Sequence, residues 1–350
     1  MSRSFDSLRI KGALSTGSTL LNLACSEDPN TGFLRGGYYY LVGDSQSGKT
    51  WFALSCLAEA ARNPMFDRWR LIYDDVEGGA LMDKQRYFGN ALASRLEPPS
   101  VRNGKFRNSA SIEEFYYNVW DAIEQKRRFI YVLDSQDALT SSSMDDKFRK
   151  QRNAAMRDRE VAGSFGDGKA KYHSEHLRQV LSSLRKSGSI LLVIGQTRDN
   201  IGWGFEKKTY SGGRALRFYA NLEIWTAVEE KIRKKVRGRD RTVGVLIRAE
   251  VKKNRLTGKI GRDRAVSIPI YYGLGIDDVG SCVDFLVDEK HWRDKKGIID
   301  ASELLIKGSR EEIIRSIEED DQEDKVKGLA ASLWRQIEND CAPNRKARYA

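Results

Sequence analysis

A chain of 350 residues that is 40% apolar can bury a large core, either as one big domain with a small one or as two of ordinary size. No apolar run approaches the roughly 20 residues that cross a bilayer, the opening MSRSFDSLRIKG lacks a signal-peptide core, and Cys25, Cys56, Cys282 and Cys341 form no CxxC pair, which suits a reducing cytoplasm. The formal charge of +11 favours an anionic partner (nucleic acid, nucleotide or membrane surface) without choosing among them.

Strands and helices alternate in chain order. YYYLVG (38–43) reads as a buried strand and TWFALSCLAEAARN (50–63) as a helix, with GDSQSGKT (43–50) between them. That stretch satisfies G-x-x-x-x-G-K-[ST] in the strand–loop–helix setting a P-loop requires. Backbone N–H groups of Gly43, Asp44, Ser45, Gln46, Ser47 and Gly48 would converge on phosphate oxygens at a helix N-terminus. Lys49 would reach the β- and γ-phosphates, and Thr50 would hold Mg²⁺. WRLIYDD (69–75) is a strand running into YDDVEGG (73–79), where one carboxylate could polarise an attacking water; Asp74, Asp75 and Glu77 compete, and spacing does not choose. SIEEFYYNVWDAIEQ (111–125) is a helix with Ser111 as N-cap and Glu114 in the capping-box position. RFIYVLD (128–134) is a strand whose terminal Asp134 makes a Walker B pattern beside the Mg²⁺ water shell.

The polar, basic stretch 145–173 reads as a loop or insertion. His173 and His176 within and beyond it lack a third ligand, so a polar loop or helix face is the better reading than zinc. SEHLRQVLSSLRKSG (174–188) is a helix and SILLVIGQ (189–196) a strand closed by Gln196. An amide there can hydrogen-bond a γ-phosphate or the water that replaces it, and so sense which is present. The loop beyond carries Arg198, Trp203, Phe205, Lys207, Lys208 and Tyr210; its aromatics could stack on bases or wedge between them, or equally plug a hydrophobic notch on a neighbouring surface. From about 214, LEIWTAVEE, TVGVLIRAEVKKN and AVSIPIYYG read as strands that extend the same sheet, partly antiparallel. Residues 231–264 hold fourteen Lys/Arg against three Asp/Glu, either a solvated hairpin surface or, like the 145–173 stretch with Lys169 and Lys171, a surface that could neutralise phosphates. Beyond 277 short helices predict a small C-terminal domain. Its REEIIRSIEEDDQEDK (310–325) has eight acidic residues against three basic, either a solvated face or a competitor for the basic surface; LAASLWRQI (329–337) reads as domain core. The rhythm as a whole predicts an α/β fold with a mainly parallel, twisted sheet covered by helices.

Together these segments resemble the RecA family of recombinases, from LSTGSTLLNLA (14–24) to YYGLGIDDVGSCVDF (271–285). Ser15-Thr16-Gly17 matches the family's opening motif, and Asp75-Val76-Glu77 its acidic–small–Glu turn, which implies Glu77 as the base. Gln196 matches its strand-end glutamine, and Gly212-Gly213-Arg214-Ala215-Leu216-Arg217-Phe218-Tyr219-Ala220 the close of its second DNA loop, whose central aromatic falls on Phe205. Lys253-Asn254-Arg255 is similar to a Lys-Asn-Lys that caps ATP across a subunit boundary, and Gly275-Ile276 to the turn before the C-terminal domain. The resemblance implies a RecA-like P-loop NTPase core over 14–276, a short N-terminal segment 1–13 and a small C-terminal α(+β) domain over 277–350. It implies ATP and Mg²⁺ as cofactors and DNA-dependent ATP hydrolysis with Glu77, Lys49 and Gln196 as catalytic residues. It further implies a helical filament on single-stranded DNA that pairs and exchanges strands with double-stranded DNA, aided by a mediator or single-strand-binding protein, in a bacterial or phage-infected cytoplasm. Few residues precede the opening motif, so the N-terminal packing helix is expected to be short or absent. The segment after Walker B is longer than in bacterial members, and Arg255 replaces a lysine. These departures suit a divergent, phage-type (UvsX-like) member. Two other readings share the motifs: a RecA-like paralogue or mediator without strand exchange, and a ring helicase of the same fold.

Overall fold

The computed structural model describes residues 13–156, 169–199, 208–210 and 213–345. After α1 (Thr19–Ser26) the chain lays down β1 (Tyr38–Gly43), α2 (Lys49–Arg62), β2 (Arg70–Asp75), α3 (Lys84–Arg95) and the short β3 (Leu96–Glu97). A small hairpin, β4 (Ser100–Arg102) and β5 (Lys105–Arg107), leads to α4 (Ile112–Glu124), β6 (Phe129–Asp134), α5 (Ser142–Ala155), α6 (Lys169–Ser187) and β7 (Ile190–Asp199). Then follow β8 (Lys208–Tyr210), α7 (Arg214–Tyr219), β9 (Leu222–Val236), β10 (Arg239–Asn254), β11 (Val266–Tyr271) and β12 (Gly275–Ile276).

One sheet runs β12-β11-β10-β9-β1-β7-β6-β2-β3, with β8 paired to β7. Its centre, from β9 through β1, β7, β6 and β2 to β3, is parallel. The β9–β10–β11–β12 wing is antiparallel, as the basic strands after 214 predicted. Strands β1 and β6 are buried along their whole length, the pattern of a sheet covered on both faces. Period-two alternation splits them between two cores. Tyr39, Leu41 and Leu71 pack with Phe52, Leu54 and Leu57 of α2, while Tyr38, Tyr40 and Ile72 pack with Phe115 and Val119 of α4 and Val180 and Leu184 of α6.

Three local expectations change. Ser111 does accept from Glu114 N, but the Glu114 carboxylate reaches back one residue further, to Ala110 N at 2.8 Å, so the reciprocal half of the capping box is displaced. The stretch read as a loop from 145 is helical through Ala155, its N-cap Ser141 bonding Met144 N. His173 is not on a polar face: it is fully buried in α6 with Nδ1 2.9 Å from the Tyr116 hydroxyl, and burial, aided by Lys169, pushes its pKa down to about 3.

The wing is a long hairpin. It turns at Arg237 and Gly238, with φ of 52° and 77°, the left-handed pair that matches strand twist. After β12 come α8 (Asp278–Asp288), a three-stranded sheet of β13 (Arg293–Lys295), β14 (Ile298–Ala301) and β15 (Ile306–Gly308), then α9 (Arg310–Glu319) and α10 (Glu323–Asp340). Val283, Ile313, Ile317 and Trp334 from these elements join the same apolar cluster as Leu21 of α1 and Leu57 of α2. Asp278 adds bonds from Thr19 N (2.6 Å) and Thr19 Oγ1 (2.8 Å).

Candidate functional site

Register places the chemistry. Gly43 pairs with Gln196 across β1 and β7, and Asp75 pairs with Asp134 across β2 and β6. All four stand where the parallel pairing ends on its carboxyl side, the edge at which ligands bind in open α/β sheets, and β7 itself runs three residues past Gln196 to pair with β8. A cleft of about 440 Å³ opens there, lined among others by Ser45, Lys49, Thr50, Glu77, Asp134 and Gln196.

The P-loop wraps the start of α2. Gly48 has φ of 80°, and a Cβ there would lie 2.9 Å from Ile270 Cδ1; one on Gly43 would collide with the Ser47 and Thr226 hydroxyls. Only glycine keeps this cradle open and its N–H groups free to converge. Lys49 donates to the carbonyl oxygens of Gly43 (2.9 Å) and Asp44 (2.6 Å). Burial lowers its pKa, and the carboxylates of Asp134, Glu77, Asp44 and Asp137 oppose that shift.

Asp134 is 7% exposed and accepts on Oδ2 from Thr50 Oγ1 at 2.7 Å and Tyr73 Oη at 2.8 Å. Burial raises its pKa; the Thr50 and Tyr73 bonds lower it and the Glu77 and Asp75 charges raise it. A hydroxyl and a carboxylate side by side at a phosphate cradle are hard oxygen donors. They fit Mg²⁺, which takes one or two protein oxygens and keeps water and phosphate as its other ligands.

The three acidic candidates separate by face. Asp74 points into the α4 side, fully buried, and accepts from Ser109 Oγ (2.6 Å), Ser109 N (2.9 Å) and Tyr131 Oη (2.6 Å). It is removed from the cleft. Asp75 holds its own turn, accepting from Gly79 N (3.1 Å) and Ala80 N (3.2 Å). Glu77 lines the cleft and accepts on Oε1 from Ser135 Oγ and, at 3.1 Å, from Gln196 Nε2. The candidate base and the candidate sensor are therefore hydrogen-bonded to each other. Gln196 is held from behind, its backbone N–H donating to Asp137 Oδ2 at 2.7 Å. Next along, Thr197 Oγ1 donates to Asp44 Oδ1 of the P-loop.

Loop candidates divide. Trp203, Phe205, Lys207 and Gly212 lie outside the described residues. Arg198 and Lys208 do so in their side chains, though their backbones lie in the antiparallel β7–β8 ribbon that forms the loop's root. Gly213, with φ of 85°, starts α7, and a Cβ there would lie 2.6 Å from Ala170 Cβ. Arg214 is an exposed residue in the first turn of α7. Lys171 is exposed beside Glu175 at 3.9 Å. Lys169, expected to touch DNA, is instead 8% exposed and donates to the Asp137 carbonyl at 3.3 Å: it opens α6 and is turned inward. Lys253 donates to the carbonyl oxygens of Arg217 and Phe218, both at 2.7 Å, and Arg255 to Phe218 at 2.8 Å. Two cations thus close the C-terminus of α7, where its dipole is negative. Neither lines the P-loop cleft of its own chain. On the wing, Lys234 of β9 lies 3.7 Å from Glu311 of the acidic α9.

Sequence reasoning missed Tyr73, Ser135, Asp137 and Thr197. Strand parity carried part of the signal: Tyr73 and Asp75 share one face of β2 and Asp74 takes the other.

The family model described as the RecA N-terminal domain matches residues 129–277, from β6 through β12. Protein RecA of Rhodospirillum centenum is 30% identical over 282 residues, 78% of this chain and 66% of its own length. Protein RecA of Rubrobacter xylanophilus is 29% identical over 287 residues, 79% of this chain and 71% of its own. The chain spans about two thirds of the length of these relatives. A RadB recombinase structure aligns with 75% of this chain and 98% of its own at 17% identity, with a TM-score of 0.46. Among the described residues no helix is long and apolar enough to cross a membrane. Identity near 30% across more than three quarters of the chain, on a parallel sheet that gathers Lys49, Thr50, Asp134 and Gln196 at one cleft, identifies the fold's lineage: the chain is a divergent member of the RecA family.

Proposed function

We propose that this chain is a DNA-dependent ATPase that assembles on single-stranded DNA as a recombinase and promotes pairing and strand exchange. ATP with Mg²⁺ would occupy the P-loop cleft, the ion held through Thr50 and Asp134 and neutralising phosphate charge when bound. Lys49 stands where a γ-phosphate would draw its ammonium away from the Gly43 and Asp44 carbonyls. Glu77 is the group that orients and polarises the attacking water. The single observation that carries the reading is the 3.1 Å bond from Gln196 Nε2 to Glu77 Oε1. It ties the hydrolytic carboxylate to the residue from which the loop to Gly213 departs. Lys253 and Arg255, turned away from their own cleft, are available to a neighbouring protomer's ATP. A phage-type origin, a cytoplasmic setting and help from a mediator or single-strand-binding protein belong to the same proposal.

The test is ATP turnover with and without single-stranded DNA, for wild type and Gln196→Ala. Wild type should be stimulated, and the variant should still bind ATP but lose the stimulation. Turnover indifferent to DNA in the wild type, with no filaments by electron microscopy, would overturn the reading.

A further inference from the structure

The edge of the sheet opposite the nucleotide cleft carries a second cleft, of about 590 Å³. Strands β2, β6 and β7 are parallel, so their amino ends meet there, separated from the ATP cleft by strands of six residues or more, about 20 Å at 3.3 Å per residue. Five cations line it: Arg68 before β2, Lys126, Arg127 and Arg128 between α4 and β6, and Lys186 near the end of α6. Among the described residues no carboxylate lines it, and none of the five cations makes an ion pair. Arg35 adds a sixth charge at the margin: its guanidinium and that of Arg128 each stand 5.9 Å from the ring centroid of Trp69. Burial and the neighbouring Arg128 both lower the Arg35 pKa, so like charges are held together here at a cost.

We infer that this cleft is a binding site for the phosphate backbone of duplex DNA, separate from the ATP cleft and the loops at its rim. Guanidinium forks are the side chains best matched to phosphate oxygens. A protein interface would need an apolar anchor in its centre. Here Trp69 is 4% exposed beneath the guanidinium groups and Ile123 is half-buried. A single-strand site would offer aromatic faces to bases, and among the described residues the only aromatic ring lining the cleft is this covered one. What remains is charge on a rigid edge, which binds backbone without reading sequence.

Arg127 Nε donates to the Arg68 carbonyl (2.8 Å) and Arg128 Nε to the Ser187 carbonyl (3.2 Å), so these two also hold structure. The test therefore removes Arg68, Lys126 and Lys186, whose side chains are exposed. Binding of a short fluorescent duplex of mixed sequence is measured across a salt series for the wild type, the triple alanine variant and Lys126→Ala alone. Each cation that no longer meets a phosphate should flatten the slope of log K against log salt by about 0.9, so roughly 2–3 for the triple variant and about 1 for the single one. Binding of a fluorescent ATP analogue should not change. An unchanged slope in both variants overturns the inference, and so does a triple variant that loses only the binding of a poly-glutamate peptide, which would make the partner an acidic protein. Because ATP turnover with single-stranded DNA reads the other edge of the sheet, stimulation with an unaltered duplex slope would refute this site alone.

Discussion

Tyr73→Phe removes one oxygen and leaves the ring, so its effect reports on a single bond. That oxygen donates to Asp134 Oδ2 at 2.8 Å, from a side chain 5% exposed. A hydrogen bond to a charged, buried group contributes about 1.5–3 kcal/mol, so the variant should lose about 2 kcal/mol of stability. The pH dependence has a definite sign. Burial raises the Asp134 carboxyl above its unfolded value, and the Tyr73 bond is one of the two that pull it down. A raised carboxyl makes the folded state bind protons more tightly, so its contribution to stability falls as pH rises through that window. Without Tyr73 Oη the carboxyl rises further, and the deficit should be largest at neutral pH and shrink as Asp134 protonates. Urea unfolding of both proteins at several pH values reads this directly. The same carboxylate, less firmly oriented, should need several-fold more Mg²⁺ for half-maximal ATP turnover. Equal urea midpoints at neutral pH, together with an unchanged Mg²⁺ requirement, would refute the argument that Tyr73 orients the carboxylate proposed to hold Mg²⁺.

Gly195→Ala should cost about 1–3 kcal/mol in urea unfolding, because its Cβ would collide with the Tyr40 hydroxyl and lie 2.8 Å from ring Cζ of a residue 1% exposed. Thr197→Val, which loses the bond to Asp44 of the P-loop, should keep DNA-free ATP turnover and lower the stimulation ratio. Lys253 is pushed down to about 8, by burial first and by Arg255 next. The unfolded chain therefore binds the extra proton above that pH, and stability should rise from about pH 8 toward the ordinary lysine range in the wild type but not in Lys253→Met. Truncation after Leu305 would strip Ile313, Ile317 and Trp334 from the core, so shielding of the basic wing by acidic α9 is better tested by Glu311→Gln. That pair is 3.7 Å apart and exposed on both sides, so stability should move by less than about 1 kcal/mol while duplex affinity at low salt increases.

The places of the P-loop, Asp134 and Gln196 at one cleft were legible because the G-x-x-x-x-G-K-[ST] pattern constrains residue type, spacing and flanking elements at once, but β7 does not close at Gln196 and runs on to Asp199. The parallel centre followed from the βαβα rhythm for a similar reason. Lys169 was misread because a polar sequence does not say which lysine begins a helix, and the inward turn of this one depends on Asp137, whose place beside Gln196 is a matter of register. The same holds for His173: its burial depends on Tyr116, 57 residues earlier in the chain. Asp74 could have been set aside from parity alone. The cation cleft was invisible, since Arg68, Lys126–Arg128 and Lys186 come from three separate segments that only the amino ends of β2, β6 and β7 bring together.

Parallel topology sends helices back to the amino edge, so α4 and α6 both end at this cleft, and cations there meet two negative helix termini. That ordinary cause accounts for part of the charge. Each terminus carries about half a unit, so two of them offset about one cation. Five line the cleft, which leaves about four positive charges that helix ends do not offset, and among the described residues no carboxylate lines the cleft beside them. Crowding charges in this way destabilises the fold unless an anion relieves it. The relief should show as a rise in unfolding midpoint on adding short duplex DNA in the absence of nucleotide, larger for wild type than for the Arg68, Lys126 and Lys186 triple variant. Helix capping alone would give both proteins the same rise.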